Sequence, residues 1–128
     1  MSGVVVDTSV WIEFLAGRAV PSLEEALQNS LVVLPPLVVA ELISGARREK
    51  EKKAIERLIL DLPIHETPLA HWIQVGELRR ALMNNGFSVS TPDAHVAQCA
   101  LDRNAVLLSR DAVFPRIARL SSLRVHPW

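Results

Sequence analysis

Four carboxylates stand at the boundaries of apolar segments in this chain: Asp7, Glu41, Asp93 and Asp111. Asp7 directly follows Gly3-Val4-Val5-Val6 and precedes Thr8-Ser9-Val10-Trp11-Ile12. Three consecutive β-branched residues read as a short parallel strand buried on both faces, and an acid at its carboxyl end lies where open α/β sheets place their ligand crevice. Glu41 interrupts the apolar helical run Leu37-Val38-Val39-Ala40 and Leu42-Ile43. Asp93 follows Pro92 in a first helical turn, where the helix dipole favours negative charge. Asp111 ends the turn Leu107-Leu108-Ser109-Arg110-Asp111. Taken singly, each acid has a plain structural role: helix cap, exposed helical glutamate, first-turn acid, turn residue. Gathered at one sheet edge they would repel one another and raise each other's pKa unless a cation neutralised them. An all-oxygen donor set suits magnesium or manganese.

Other chemistries have less to stand on. His65, His71, His95 and His126 show no zinc-like spacing, and the single Cys99 reads as a packed thiol. There is no glycine-rich phosphate loop, and Asp7-Thr8-Ser9 lacks the second aspartate expected of an aspartyl-phosphate phosphatase. One cysteine rules out an internal disulfide and suits a reducing cytoplasm. The longest apolar run, Leu31 to Ala40, is broken by Pro35-Pro36 and falls short of the ~20 residues of a membrane helix. The expectation is therefore a cytoplasmic protein with no membrane association.

The elements that must position the acids follow from the apolar pattern. The 128 residues, 49% hydrophobic, are enough for one packed domain over 1–128. A strand over Val4–Val6 feeds a helix from about Ser9 to Leu15. Ser22 and Glu25 form a capping box opening a short helix. Leu31–Leu34 is a second strand, and Pro36 opens a helix closed at Gly45. A charged helix covers about Arg48 to Leu60, Leu62-Pro63-Ile64 suits an edge strand, and a long helix runs from about Leu69 to Met83. Ser90-Thr91-Pro92-Asp93 opens another, to about Arg103. Ala105–Leu108 and Leu123–Val125 complete the strands. Strands alternating with helices predict an α/β, three-layer architecture with a mostly parallel sheet between helices.

Charge gives little away globally, since Lys and Arg number 14 and so do Asp and Glu. From Arg103 onward, however, five arginines face one acid, Asp111. The basic run Arg47-Arg48-Glu49-Lys50-Glu51-Lys52-Lys53 suits a phosphate backbone, but its interleaved acids fit a solvated, ion-paired helix better. Trp11 and Trp72 lie in helical apolar stripes, as core or interface residues, and Trp128 suits packing on the sheet or on a partner chain.

Val4-Val5-Val6-Asp7-Thr8-Ser9-Val10, Val39-Ala40-Glu41-Leu42-Ile43-Ser44-Gly45, Thr91-Pro92-Asp93-Ala94-His95-Val96-Ala97 and Leu107-Leu108-Ser109-Arg110-Asp111 resemble, in order, the four motifs of the PIN domain. Their spacing resembles that of the VapC toxins of toxin–antitoxin pairs, over essentially the whole chain. The resemblance implies a magnesium- or manganese-dependent endoribonuclease whose acidic quartet is Asp7, Glu41, Asp93 and Asp111, supported by Ser9 and Ser109. It also implies RNA as substrate, with tRNA or another structured RNA the expected kind, a VapB-type antitoxin and a homodimer as partners, and products ending in 5′-phosphate and 3′-hydroxyl. The chain departs from the pattern at Val113, which precedes Phe114 where the family often has a further acid.

Two other classes fit parts of the sequence. A PIN-like module without catalysis would bind RNA or protein and cut nothing, which a metal-dependent cleavage assay distinguishes. A metal-dependent phosphohydrolase for small substrates would need a nucleotide-binding loop, and the sequence offers none.

Overall fold

Val4, Val5 and Val6 have their side chains buried on both sides of the backbone, the pattern of a strand covered by helices on both faces. In the computed structural model, which describes residues 3–126, this strand is β1 (Val4–Val6). The other elements are α1 (Thr8–Leu15), α2 (Pro21–Gln28), β2 (Val32–Val33), α3 (Pro36–Gly45), α4 (Glu49–Leu60), α5 (Leu69–Asn84), α6 (Thr91–Arg103), β3 (Val106–Leu108), α7 (Val113–Arg119) and β4 (Arg124–His126). The sheet order is β2-β1-β3-β4 and every pairing is parallel, with Val6 level with Leu108 and Leu108 level with His126. This is the α/β architecture expected from the alternating elements.

Strand order explains where a site can form. From β1 the chain moves to β2 on one side, then crosses to β3 and β4 on the other. The crossovers therefore diverge at the carboxyl ends of β1 and β3, leaving a crevice there. Asp7 is the first residue beyond β1, and Ser109 the first beyond β3. Beneath them lies one continuous core including Val5, Val6, Trp11, Leu107, Leu108, Phe114 and Ile117.

Several elements differ from the sequence reading. No capping box forms at Ser22 and Glu25. The N-cap is Val20 and the helix begins at Pro21, two residues earlier than a Ser22 cap would start it, and the Val20 N–H donates to Glu24 Oε2 at 3.1 Å. Proline at the first position has no N–H to be capped, so the preference for proline there overrides the Ser-Glu signal. Leu62-Pro63-Ile64 contributes only an isolated bridge, Leu34 with Ile64. Helix α7 has no counterpart in the reading, where its seven residues were too few to show an apolar stripe. Of the two places expected for Trp72, core or interface, the core is excluded: it is 40% exposed and stacks on His95 at 4.7 Å. Trp128 lies outside the described residues. At the start of α4, Arg48 pairs with Glu51 and Lys52 with Glu49 and Glu56, as on a solvated face.

Candidate active site

Asp7 is fastened from three directions. Its Oδ1 accepts the Thr8 N–H at 2.8 Å, and its Oδ2 accepts the hydroxyls of Ser9 and Ser109, each at 3.0 Å. The same carboxylate caps α1, so its structural role and its place in the cluster are compatible. Parallel register brings Ser109 alongside, because the Asp7 N–H donates to the Leu108 carbonyl at 3.0 Å. Ser109 Oγ in turn accepts the Asp111 N–H at 3.0 Å, and Asp111 Oδ1 accepts the Val113 N–H at 3.0 Å. One buried serine thus ties the first acid to the last.

The other two acids arrive on helices. An α/β crossover runs its helix antiparallel to the strands, so the first turn of α6 points to the carboxyl edge of the sheet. Asp93 sits in that turn, which is capped by Ser90 Oγ accepting the Asp93 N–H at 3.2 Å. Glu41 lies on α3 and accepts the Thr8 Oγ1 hydroxyl at 2.7 Å. Thr8 therefore links Asp7, through its N–H, to Glu41, through its hydroxyl. Thr8 is a site residue that the four acidic motifs do not single out, and its position directly after Asp7 is the one sequence signal for it.

Electrostatics reflect this crowding. Burial raises the Asp7 carboxyl above its ordinary value, opposed by hydrogen bonds from Ser109, Ser9 and Thr8, and the charge of Asp111 adds to the rise. Burial also raises Asp93, opposed by Ser90, with the charges of Asp111 and Asp7 adding to it. The arrangement brings Asp7, Asp93 and Asp111 within electrostatic reach, with Glu41 reached through Thr8. A divalent cation fits the chemistry of this donor set, which is all oxygen, anionic and self-repelling.

Removing one hydroxyl tests the scaffold. Ser109→Ala frees Asp7 Oδ2 from one of its two hydroxyl partners and releases the Asp111 N–H. Loss of a group that orients metal-binding carboxylates typically costs 10–100-fold, so magnesium affinity measured calorimetrically on the folded variant should fall by roughly that factor.

The comparisons with known proteins agree with this architecture. Ribonuclease VapC11 of Mycobacterium tuberculosis is 29% identical over 128 residues, covering 94% of this chain and 96% of that protein. Among solved structures, VapBC2 from Rickettsia felis, bound to a DNA fragment from its promoter, superposes with a TM-score of 0.80 at 18% identity, covering 98% of each chain. VapBC-1 from nontypeable Haemophilus influenzae gives 0.78 at 22% identity, covering 98% of this chain and 97% of that one. At these identities the structural likeness speaks for the fold. The family model described as PIN domain matches residues 4–120, from β1 to the end of α7, and so takes in all four acids: the chain belongs to the PIN domain family.

Proposed function

We propose that this chain is the toxin of a type II toxin–antitoxin pair, a magnesium- or manganese-dependent endoribonuclease acting in the cytoplasm. The observation that carries the proposal is the fastening of Asp7 by Ser9, Ser109 and Thr8 at the crossover point, beside Asp93 and Asp111. Similarity to a named VapC ribonuclease over 94% of the chain supports the choice of RNA as substrate.

In this reading Asp7 and Asp93 hold the ion, and Glu41 and Asp111 complete its surroundings. A divalent ion held by these residues would supply Lewis-acid polarisation of a phosphate and a more acidic water. The protein's part is positioning and proton handling. Ser9, Ser109 and Thr8 fix both Asp7 oxygens, so no side-chain reorganisation is needed when substrate arrives. Glu41, exposed and oriented by Thr8 Oγ1, is placed to orient the attacking water and accept its proton. Asp111 is anchored beside Asp7 through its backbone N–H to Ser109 Oγ. No covalent enzyme intermediate is required.

One core running beneath the site supports treating residues 1–128 as a single working domain. Among the described residues no helix is long and apolar enough to cross a membrane. Exposed Ile12, Leu69 and Ile73 offer apolar area for the homodimer and antitoxin contacts that a toxin would make.

The test is RNA cleavage by purified protein under different cations. Magnesium and manganese should support turnover, calcium should bind and support little, and chelator should abolish cleavage. Undiminished cleavage in excess chelator would remove this mechanism.

A further inference from the structure

A second cluster of metal-binding side chains lies apart from the four acids. His65 follows the Leu34–Ile64 bridge, His71 lies in the first turn of α5, and Cys99 lies in the middle of α6. No spacing rule joins them, yet ligand atoms of His65, His71 and Cys99 all lie within 4.8 Å of one another, and all three residues are buried. They meet because α5 packs against α6 and the Leu34–His65 backbone hydrogen bond, 2.8 Å, pins the loop to the sheet.

Asp102, one turn beyond Cys99 on the same face of α6, completes the group. Its Oδ2 is 3.0 Å from His65 Nε2 and 2.6 Å from His71 Nδ1, and its Oδ1 accepts the Gln98 amide at 2.8 Å. Burial works to raise the Asp102 carboxyl, but hydrogen bonds from Gln98, His71 and His65 outweigh it and hold the group below its ordinary value. His95 lines the other side, with Nδ1 2.8 Å from His71 Nε2 and Nε2 3.7 Å from Cys99 Sγ.

We propose that His65, His71, Cys99 and Asp102 form a binding site for zinc, or a first-row ion of similar preference, that clasps the 61–65 loop, α5 and α6 together. His65, His71 and Cys99 supply three ligands that already meet, and Asp102, hydrogen-bonded to both imidazoles, would turn toward the ion as the fourth, completing the closed tetrahedral form of a structural zinc site. Zinc–ligand lengths of about 2.0–2.3 Å put neighbouring ligand atoms about 3.3–3.6 Å apart, so on binding the two nitrogen–Asp102 distances open and the separations of up to 4.8 Å among His65, His71 and Cys99 close toward that range. Asp102, with its side chain 25% exposed, provides the way in. His71 Nε2 against His95 Nδ1 orients one ligand from outside, whereas a zinc-bound His65 carries its proton on Nδ1, so the Arg103 donor 3.4 Å away turns aside on binding. On binding, Cys99 gives its thiol proton to solvent. Burial, with the charge of Asp102, pushes that thiol up to about 12 despite Arg103, so without a cation the sulfur stays protonated. Soft sulfur and imidazole donors here, against all-oxygen donors around Asp7, let one chain sort two kinds of ion.

Cobalt is the probe, because Cys99 is the chain's only cysteine and any thiolate–cobalt band reports on it alone. One equivalent of cobalt added to metal-free protein, in a phosphine reductant, should give a near-ultraviolet charge-transfer band and the intense visible bands of four-coordinate cobalt. One equivalent of zinc should bleach both. At free zinc about 100-fold above its Kd, the unfolding midpoint should rise by roughly 10 °C. Cys99→Ser should lose the charge-transfer band, and His65→Gln should weaken zinc binding at least about tenfold. A pale six-coordinate spectrum without charge transfer from the unmodified protein would overturn the site, whether or not the variants fold. So would a zinc-induced rise in midpoint that persists undiminished in folded Cys99→Ser. None of these readouts depends on RNA cleavage.

Discussion

Asp7→Asn and Asp93→Asn should each reduce RNA cleavage at saturating magnesium by roughly 10³-fold, since metal-ion stabilisation of transition-state charge is worth several kcal/mol and each 1.36 kcal/mol is a factor of ten. The same changes should leave the metal-free protein as stable as before, or more so. Both carboxyls have folded-state pKa values above their ordinary one, chiefly through burial. A group raised in this way contributes stability below its unfolded pKa and loses it as pH rises through its folded pKa. At neutral pH the metal-free site therefore opposes folding, and an uncharged amide relieves that opposition. Asn at position 7 keeps one carbonyl oxygen for the Ser9, Ser109 and Thr8 donors, which limits the gain. The measurements are initial cleavage rates and thermal unfolding in chelator. Full activity in both variants would remove Asp7 and Asp93 from the site.

The second large effect is expected in cells. If the chain is the toxin we propose, expressing it alone should arrest bacterial growth, and co-expressing the neighbouring small open reading frame should restore it. The physical basis for inhibition is the site's charge. An arginine from the partner can pair with these carboxylates through two parallel hydrogen bonds and compete with the cation. Arrest should vanish with Asp93→Asn if it depends on cutting RNA. Arrest that persists with a folded Asp93→Asn protein would favour a module that only binds.

Much of this was legible in the sequence because the decisive interactions are close to the backbone. Val4–Val6 and Leu107–Leu108 are apolar enough to be central strands, and parallel pairing then sets the residues after them, Asp7 and Ser109, side by side. Proline at positions 36 and 92 marks the starts of the two helices that carry Glu41 and Asp93. What could not be read depended on side chains meeting across long separations. Thr8 Oγ1 finds Glu41 33 residues away. Asp102 gathers His65 and His71 from 37 and 31 residues away, through helix packing that no local spacing encodes. Helix α7 was missed for the opposite reason: it is too short to establish a period, and is held by Phe114 and Ile117 in the core.

If Asp7 and its neighbours direct water at a phosphodiester, as proposed, the oxygen in the new ends comes from solvent. RNA cleaved in ¹⁸O-enriched water with magnesium should yield 5′-phosphates carrying solvent oxygen and free 3′-hydroxyls, with no such ends formed in chelator. Products ending in 2′,3′-cyclic phosphate and 5′-hydroxyl would mean that the RNA's own 2′-hydroxyl attacks, and would contradict the account.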